Sequence, residues 1–221
     1  MAVFASRQIV VPVRGKMLSD YVEGEIVLLN ESGSPVEFYV AKHDYESDLN
    51  GSGRTLLVRK DCYDSRVWHS SSNMNAWASC DLRSWLNSDY LNLLDEGIRE
   101  VIGTTKYYYT PSFSNITVTT RSDAVFQLSL TELGKTSGEA NVEGTALPIA
   151  RTLQVAYING TSVVQWTRSP STFYASRALL LHPNGLVEGG GLTGTNGSRP
   201  VFALPSTALF DPDTNQFKGA A

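Results

Sequence analysis

The stretch from Trp166 to Leu204 constrains this chain more than any other. Trp166-Thr167-Arg168-Ser169-Pro170 opens it, and Gly197-Ser198-Arg199-Pro200 closes it before the apolar Val201-Phe202-Ala203-Leu204. A glycine-rich run lies between. Each arginine stands one or two residues from a proline, whose ring fixes its own φ and biases the preceding residue toward extended backbone. Short strands and tight turns follow from such punctuation, so the frame reads as a scaffold displaying loops. A planar guanidinium can satisfy several loop carbonyls at once, and Trp166 offers a face for cation–π packing. Arg168 and Arg199 are therefore expected to lock the scaffold; the alternative is that both are surface charges.

A chain of 221 residues fits one β-rich domain with an appendage, large enough to bury roughly 70% of its unfolded surface. Charged residues make up 18%, the formal net charge is −4 and the pI is about 5.4. That balance supplies no phosphate-neutralising surface, so neither nucleic acid nor an anionic membrane is an expected partner. The first residues lack a basic leader, with Arg7 and Gln8 interrupting their apolar run, and no stretch is long and apolar enough to span a bilayer. A soluble protein is expected.

Cys62 and Cys80 form no C-x-x-C unit and have no neighbouring histidine pair. Zinc and redox roles fail on spacing. Both cysteines read as small buried hydrophobes in reduced protein, with a disulfide as the alternative. Sequons at Asn30, Asn50, Asn115, Asn159 and Asn196 are composition only, since no signal peptide accompanies them.

Residues 1–22, with the apolar Ile9-Val10-Val11-Pro12-Val13, read as an N-terminal arm: an edge strand, a tail, or an anchor to a larger assembly. From Glu25 to Tyr39 the pattern is a hairpin with its turn in Asn30–Pro35. Thr55–Lys60 adds a further strand, giving an antiparallel meander. A helix is expected to begin near Ser79, capped by its hydroxyl, with Leu82, Trp85 and Leu86 on one face. A second helix is expected over Leu91–Ile102, with Leu94, Ile98, Val101 and Ile102 aligned and Gly103 as its left-handed terminus. Tyr107-Tyr108-Tyr109 reads as strand residues divided between core and surface, a stacking platform being the alternative. Residues 134–146 read as a polar loop, and Asn159-Gly160 as a hairpin turn. The fold class is α+β, with a domain over 23–206 and a C-terminal tail over 207–221.

No catalytic pattern stands out. Gly189-x-Gly191-x-x-Gly194 matches a dinucleotide fingerprint by letter, but Thr195-Asn196-Gly197-Ser198-Arg199-Pro200 cannot start the helix that would hold a pyrophosphate. Asp211-Pro212-Asp213-Thr214-Asn215 opens like a calcium loop but has Gln216 where glycine is required; a solvated turn is expected. His43, His69 and His182 share no ligand spacing, and no nucleophile elbow occurs. Carboxylates brought together by folding leave no trace in spacing, so they stay open. No enzyme activity, metal or cofactor is expected.

Gly24-Glu25-Ile26-Val27, Pro35-Val36-Glu37-Phe38, Leu56-Leu57-Val58-Arg59-Lys60-Asp61, Trp68-His69, Ser84-Trp85-Leu86-Asn87, Trp166-Thr167-Arg168-Ser169-Pro170 and Ser198-Arg199-Pro200-Val201 occur in this order. Together they resemble a family of uncharacterised domains from phages, prophages and surface proteins of gut Firmicutes, over about Glu23 to Leu204. Gln165 and Thr167 depart from that family's usual aromatic and leucine. The Trp-x-Arg-Ser-Pro and Arg-Pro elements are similar to those of the C-type-lectin-like fold, in the branch holding formylglycine-generating enzymes and phage tropism determinants. That similarity implies antiparallel sheets, two helices and long loops. The branch's oxidase uses a cysteine pair near its C-terminus, whereas Cys62 and Cys80 lie far upstream, so the oxidase residues do not carry over.

The resemblance implies a phage or prophage virion protein, at the tail, baseplate or a capsid fibre, whose lectin-like domain binds a host-surface glycan or protein. The implied localisation is the virion. Phe173, Tyr174, Asn184, Thr193, Thr195 and Asn196 are the candidate ligand-binding residues, combining aromatic area with small hydrogen-bonding groups. Trp166, Arg168, Arg199 and Trp85 are the structural ones. Other virion proteins are expected to bind through the N-terminal arm, and the protein is expected to be a homo-oligomer. The competing reading is a structural adaptor or decoration protein without a receptor role; a hydrolase of host envelope sugar ranks third.

Overall fold

The first hairpin follows from its apolar alternation and from a turn that needs positive φ. Ile26–Glu31 pairs with Ser34–Lys42 through the two-residue turn Ser32 (φ 51) and Gly33 (φ 74), the conformation that matches strand twist. Arg54–Arg59 continues the meander and Val201–Pro205 closes a four-stranded antiparallel sheet. The structure, a computed structural model, describes residues 15–220. Within that sheet Leu56, Leu57 and Val58 are all fully buried, as a central strand covered on both faces should be.

The helix Glu96–Ile102 covers this sheet, burying Ile98 and Ile102. It is shorter than the expected Leu91–Ile102 helix, and the cause is tertiary. The end of the first hairpin docks here, with Ser32 N donating to Leu93 O at 2.6 Å and Asn30 Nδ2 to Asp95 Oδ2 at 2.7 Å. Leu94 is thereby pulled into extended backbone, splitting a 3₁₀ turn (Leu91–Leu93) from the helix. Gly103 has the expected positive φ of 55, but its ψ of −163 is extended rather than left-handed helical. The Ser79 cap is also corrected. Ser79 ends a 3₁₀ turn, and Cys80 caps the helix Asp81–Trp85, its Sγ accepting from Arg83 N at 3.4 Å. Leu82 and Leu86 are buried while Trp85 is half-buried, with Arg66 3.6 Å above its ring.

The second large sheet has five strands, in the order Val187–Gly191, Arg177–Leu181, Gln165–Pro170, Thr195–Ser198, Asp64–Val67. Its pairings are antiparallel except one. Gln165 meets Gly197 in parallel, which departs from the expected purely antiparallel sheets. Two ribbons are also present, Thr105–Tyr109 with Thr119–Asp123 and Ala156–Ile158 with Thr161–Val163, the latter turning at Asn159 (φ 50) and Gly160 (φ 79). Short α-helices also occur at Ser47–Asn50 and Ala150–Leu153, so the helices number four among the described residues rather than the expected two. The protein is mostly β-sheet with few helices, consistent with α+β.

Of the segment expected as an arm, residues 1–14 lie outside the described residues. Lys16–Met17 pairs with Leu209–Phe210, which pairs in turn with Phe217–Gly219. The 207–220 stretch thus carries two strands, and Phe210 is fully buried against Tyr21 and Phe217. Asp211–Asn215 between them is a turn closed by Asp211 Oδ1, which accepts from Asp213 N at 2.9 Å and Thr214 N at 3.1 Å.

Candidate functional site

Every residue of Gln165–Pro170 is buried, although most are polar. Such a strand is tolerated only if its donors find partners. Arg168, 0% exposed, donates from Nε and Nη2 to Tyr108 O at 3.0 and 2.8 Å, and from Nη1 to Gln127 O at 2.8 Å and Glu132 Oε2 at 2.5 Å. Glu132 also accepts from the Tyr45 hydroxyl and from Ser129 N. Burial alone would lower the basicity of Arg168, but the adjoining Glu132 charge overrides it and holds the group above the usual arginine range. The expected stacking on Trp166 is replaced. The guanidinium lies 4.7 Å from the Tyr107 ring centroid and 5.8 Å from that of Phe126. The strand bulges between Trp166 and Pro170, breaking the two-residue alternation, and the Trp166 indole N–H is committed to Arg66 O at 2.8 Å.

Arg199 performs the same task without a carboxylate. Its Nε donates to Arg59 O at 2.8 Å, Nη1 to Leu153 O at 2.7 Å, and Nη2 to Lys60 O. With carbonyls alone around it, burial pushes this group below the usual arginine range. Gln127 joins the two clamps: its carbonyl takes Arg168 Nη1, and its side-chain oxygen takes Arg199 N at 3.2 Å. Gln165 and Thr167 are satisfied as well, Gln165 Nε2 donating to Leu153 O at 2.9 Å and Thr167 Oγ1 to Leu179 O at 2.8 Å.

Glu143, inside the stretch expected as a polar loop, is fully buried. It accepts from Ser169 Oγ at 2.5 Å and Thr110 N at 2.6 Å, and burial raises its carboxyl above the usual range. Tyr107 and Tyr109 face the core and Tyr108 is half-buried. The Tyr107 hydroxyl accepts from Trp77 Nε1 at 2.8 Å and donates to Asp123.

The scaffold presents one aromatic loop. Ser171–Ser176 joins Gln165–Pro170 to Arg177–Leu181, with Phe173 58% and Tyr174 49% exposed. The loop is held from below. Asn75, 2% exposed, shares its amide hydrogens among Ser171 O at 2.8 Å, Arg177 O at 2.9 Å and Tyr174 O at 3.1 Å, and accepts from Phe113 N at 2.8 Å. Ser171 Oγ accepts from Phe173 N and Tyr174 N at 3.1 Å each and donates to Glu139 at 2.7 Å. Asn75 thus ties the loop to a second exposed pair, Met74 (50%) and Phe113 (42%), which with Ala175, Asn73 and Ser112 line a cleft of about 170 Å³.

Of the six candidate binding residues, Phe173 and Tyr174 share this end of the sheet. Thr193 follows Leu192, whose N donates to Ser176 O at 3.2 Å at the end of this loop. Asn184 is exposed in the turn after Leu181, at the opposite end of the hairpin, where Leu181 faces Gln165. Thr195 and Asn196 lie on a strand opposite Val67 and Arg66. Met74, Asn75 and Phe113 carry no sequence signal; only folding brings them to the loop. The histidines are scattered: His43 on Thr55 and Tyr21 O, His69 by Asp81, His182 on Glu188. Gly189–Gly191 ends a strand, and Gly194 is followed by the strand Thr195–Ser198. Cys62 and Cys80 are buried free thiols.

Residues 52–206 match a family described as a domain of unknown function, DUF6273. The chain belongs to this family. The DUF6273 match covers both arginine clamps, Asn75 and the aromatic loop, and leaves the first hairpin and the terminal three-stranded sheet outside it. No curated protein and no solved structure matches the chain.

Proposed function

We propose that this DUF6273 member is a binding module, a C-type-lectin-like body displayed by a phage or prophage virion, whose host-surface contact is the face formed by Met74, Phe113, Phe173 and Tyr174. One observation carries the reading: exposed aromatic side chains stand on a loop that a buried asparagine holds by three backbone carbonyls. Apolar side chains gathered this way on a surface mark a contact site. A preorganised loop loses less conformational entropy on binding. The ligand class that fits is a glycan, since aromatic faces cover sugar rings and Phe113 lines a cleft along which Asn73, Ser112 and Ser114 supply hydrogen-bonding groups. The virion setting rests on the resemblance of the Trp166–Pro170 and Ser198–Val201 motifs.

The test is adsorption of particles carrying Tyr174→Ala with Phe113→Ala, both exposed positions. Binding to host cells should fall about tenfold or more, as for loss of central aromatic anchors, while the unfolding midpoint stays put. Asn184→Ala, at the far end of the hairpin, should leave adsorption unchanged. Full adsorption by the aromatic double variant refutes the reading, and loss of particle assembly instead would favour an adaptor.

A further inference from the structure

A second recess, of about 440 Å³, shares no residue with the cleft at Phe113 and is bordered by Glu46, Asp48, Tyr108, Val118, Val142 and Thr145. Glu46 is only 6% exposed, yet its Oε1 has no hydrogen-bond partner. The nearest cation, Lys42 Nζ, is 4.0 Å from it and donates to Thr145 Oγ1 at 3.0 Å. A Cβ on Gly144, which also borders the recess, would sit 2.9 Å from that oxygen and 3.8 Å from Glu132 Oε1 behind it. A buried carboxylate oxygen without a donor is costly, so the site is built to receive one.

The charge balance selects the donor. Behind the recess, Arg168 and Glu132 face Glu46 but are paired with each other. In front, Lys42 opposes two carboxylates, Glu46 and the exposed Asp48, the latter accepting from the Tyr108 hydroxyl. One negative charge is left over at the mouth. Val118 and Val142 add apolar flanks suited to an aliphatic stem. We propose that this recess takes a lysine side chain of a partner protein, its ammonium donating to Glu46 Oε1 with Asp48 sharing the charge and its stem lying between the two valines.

The probe is Nα-acetyl-lysine methylamide, titrated into the whole chain at about pH 7.5 and followed by amide NMR shifts at Glu46, Gly144 and Thr145. Saturable binding is expected, lost with the Nε-acetylated analogue and weakened about tenfold or more by Glu46→Gln, the usual scale for a desolvated charge partner. Asp48→Asn, at an exposed position where folding is not at stake, should weaken it less. Burial, with Glu132 and Asp48 nearby, raises the Glu46 carboxyl above the usual range, so binding should also weaken as the pH is lowered and that charge is lost. Equal binding by the neutral analogue, no effect of either variant, or a response to glucosamine alone would overturn the assignment.

Discussion

Replacing Arg168 with methionine should be among the most damaging single changes available to this chain. The side chain is 0% exposed and its guanidinium serves Tyr108 O, Gln127 O and Glu132. Methionine fills much of the volume and serves none of them. Glu132, also 0% exposed, keeps only Tyr45 and Ser129 N as donors. Breaking a buried pair from one side costs about 3–5 kcal/mol, against a total stability of about 5–15 kcal/mol. For a domain of this size the unfolding midpoint should drop by about 6–20 °C. Urea denaturation gives the free energy and calorimetry the midpoint. Adding Glu132→Gln removes the uncompensated charge, keeps an acceptor for Ser129 N and turns its amide nitrogen toward the Tyr45 hydroxyl, which can accept, so the double variant should recover about 1–3 kcal/mol. A cost below about 1 kcal/mol for Arg168→Met, or a second substitution that only adds to the damage, would refute the reasoning.

Two further outcomes follow from packing. Burial pushes the Cys62 and Cys80 thiols up to about 12 from 9.0, so neither should react with a disulfide reagent at about pH 8 until the protein unfolds. Because the unfolded thiols ionise first, they should cost stability as pH rises from 9.0 toward about 12; rapid native-state labelling would contradict this. Gly197→Ala would place a Cβ 2.6 Å from Cys62 Sγ and 3.1 Å from Val164 O and should cost about 1–3 kcal/mol. Gly191→Ala, with nothing within 4 Å, should be near neutral; equal urea midpoints for the two would remove the steric argument.

Strands set by local chemistry were legible in the residues. The Ile26–Lys42 hairpin and the Asn159-Gly160 turn sit where alternation and turn residues put them, because both depend on neighbours in sequence. Polar residues at Arg168 and Arg199 announced themselves through the prolines beside them. Features decided by distant partners were not legible. Helical periodicity through Leu94 is real, but Asn30 and Ser32 break the helix from across the fold. Glu143 reads as a solvated loop residue until Thr110 and Ser169 close on it. The proposed face was half visible: Phe173 and Tyr174 stand out in a loop, whereas Met74 and Phe113 are tied to that loop only through Asn75. Asn184 lies at the opposite end of the hairpin from that loop, a placement set by folding rather than by residue type.

The guanidinium groups of Arg168 and Arg199 work inside the body rather than on its surface. Arginine side-chain ¹H–¹⁵N spectra report this directly through the exchange of the Nε protons with water. Those of Arg168 and Arg199, each donated to a backbone carbonyl at 3.0 and 2.8 Å, should be strongly protected relative to the exposed Arg151. Exchange of either as fast as that of Arg151 would contradict the claim.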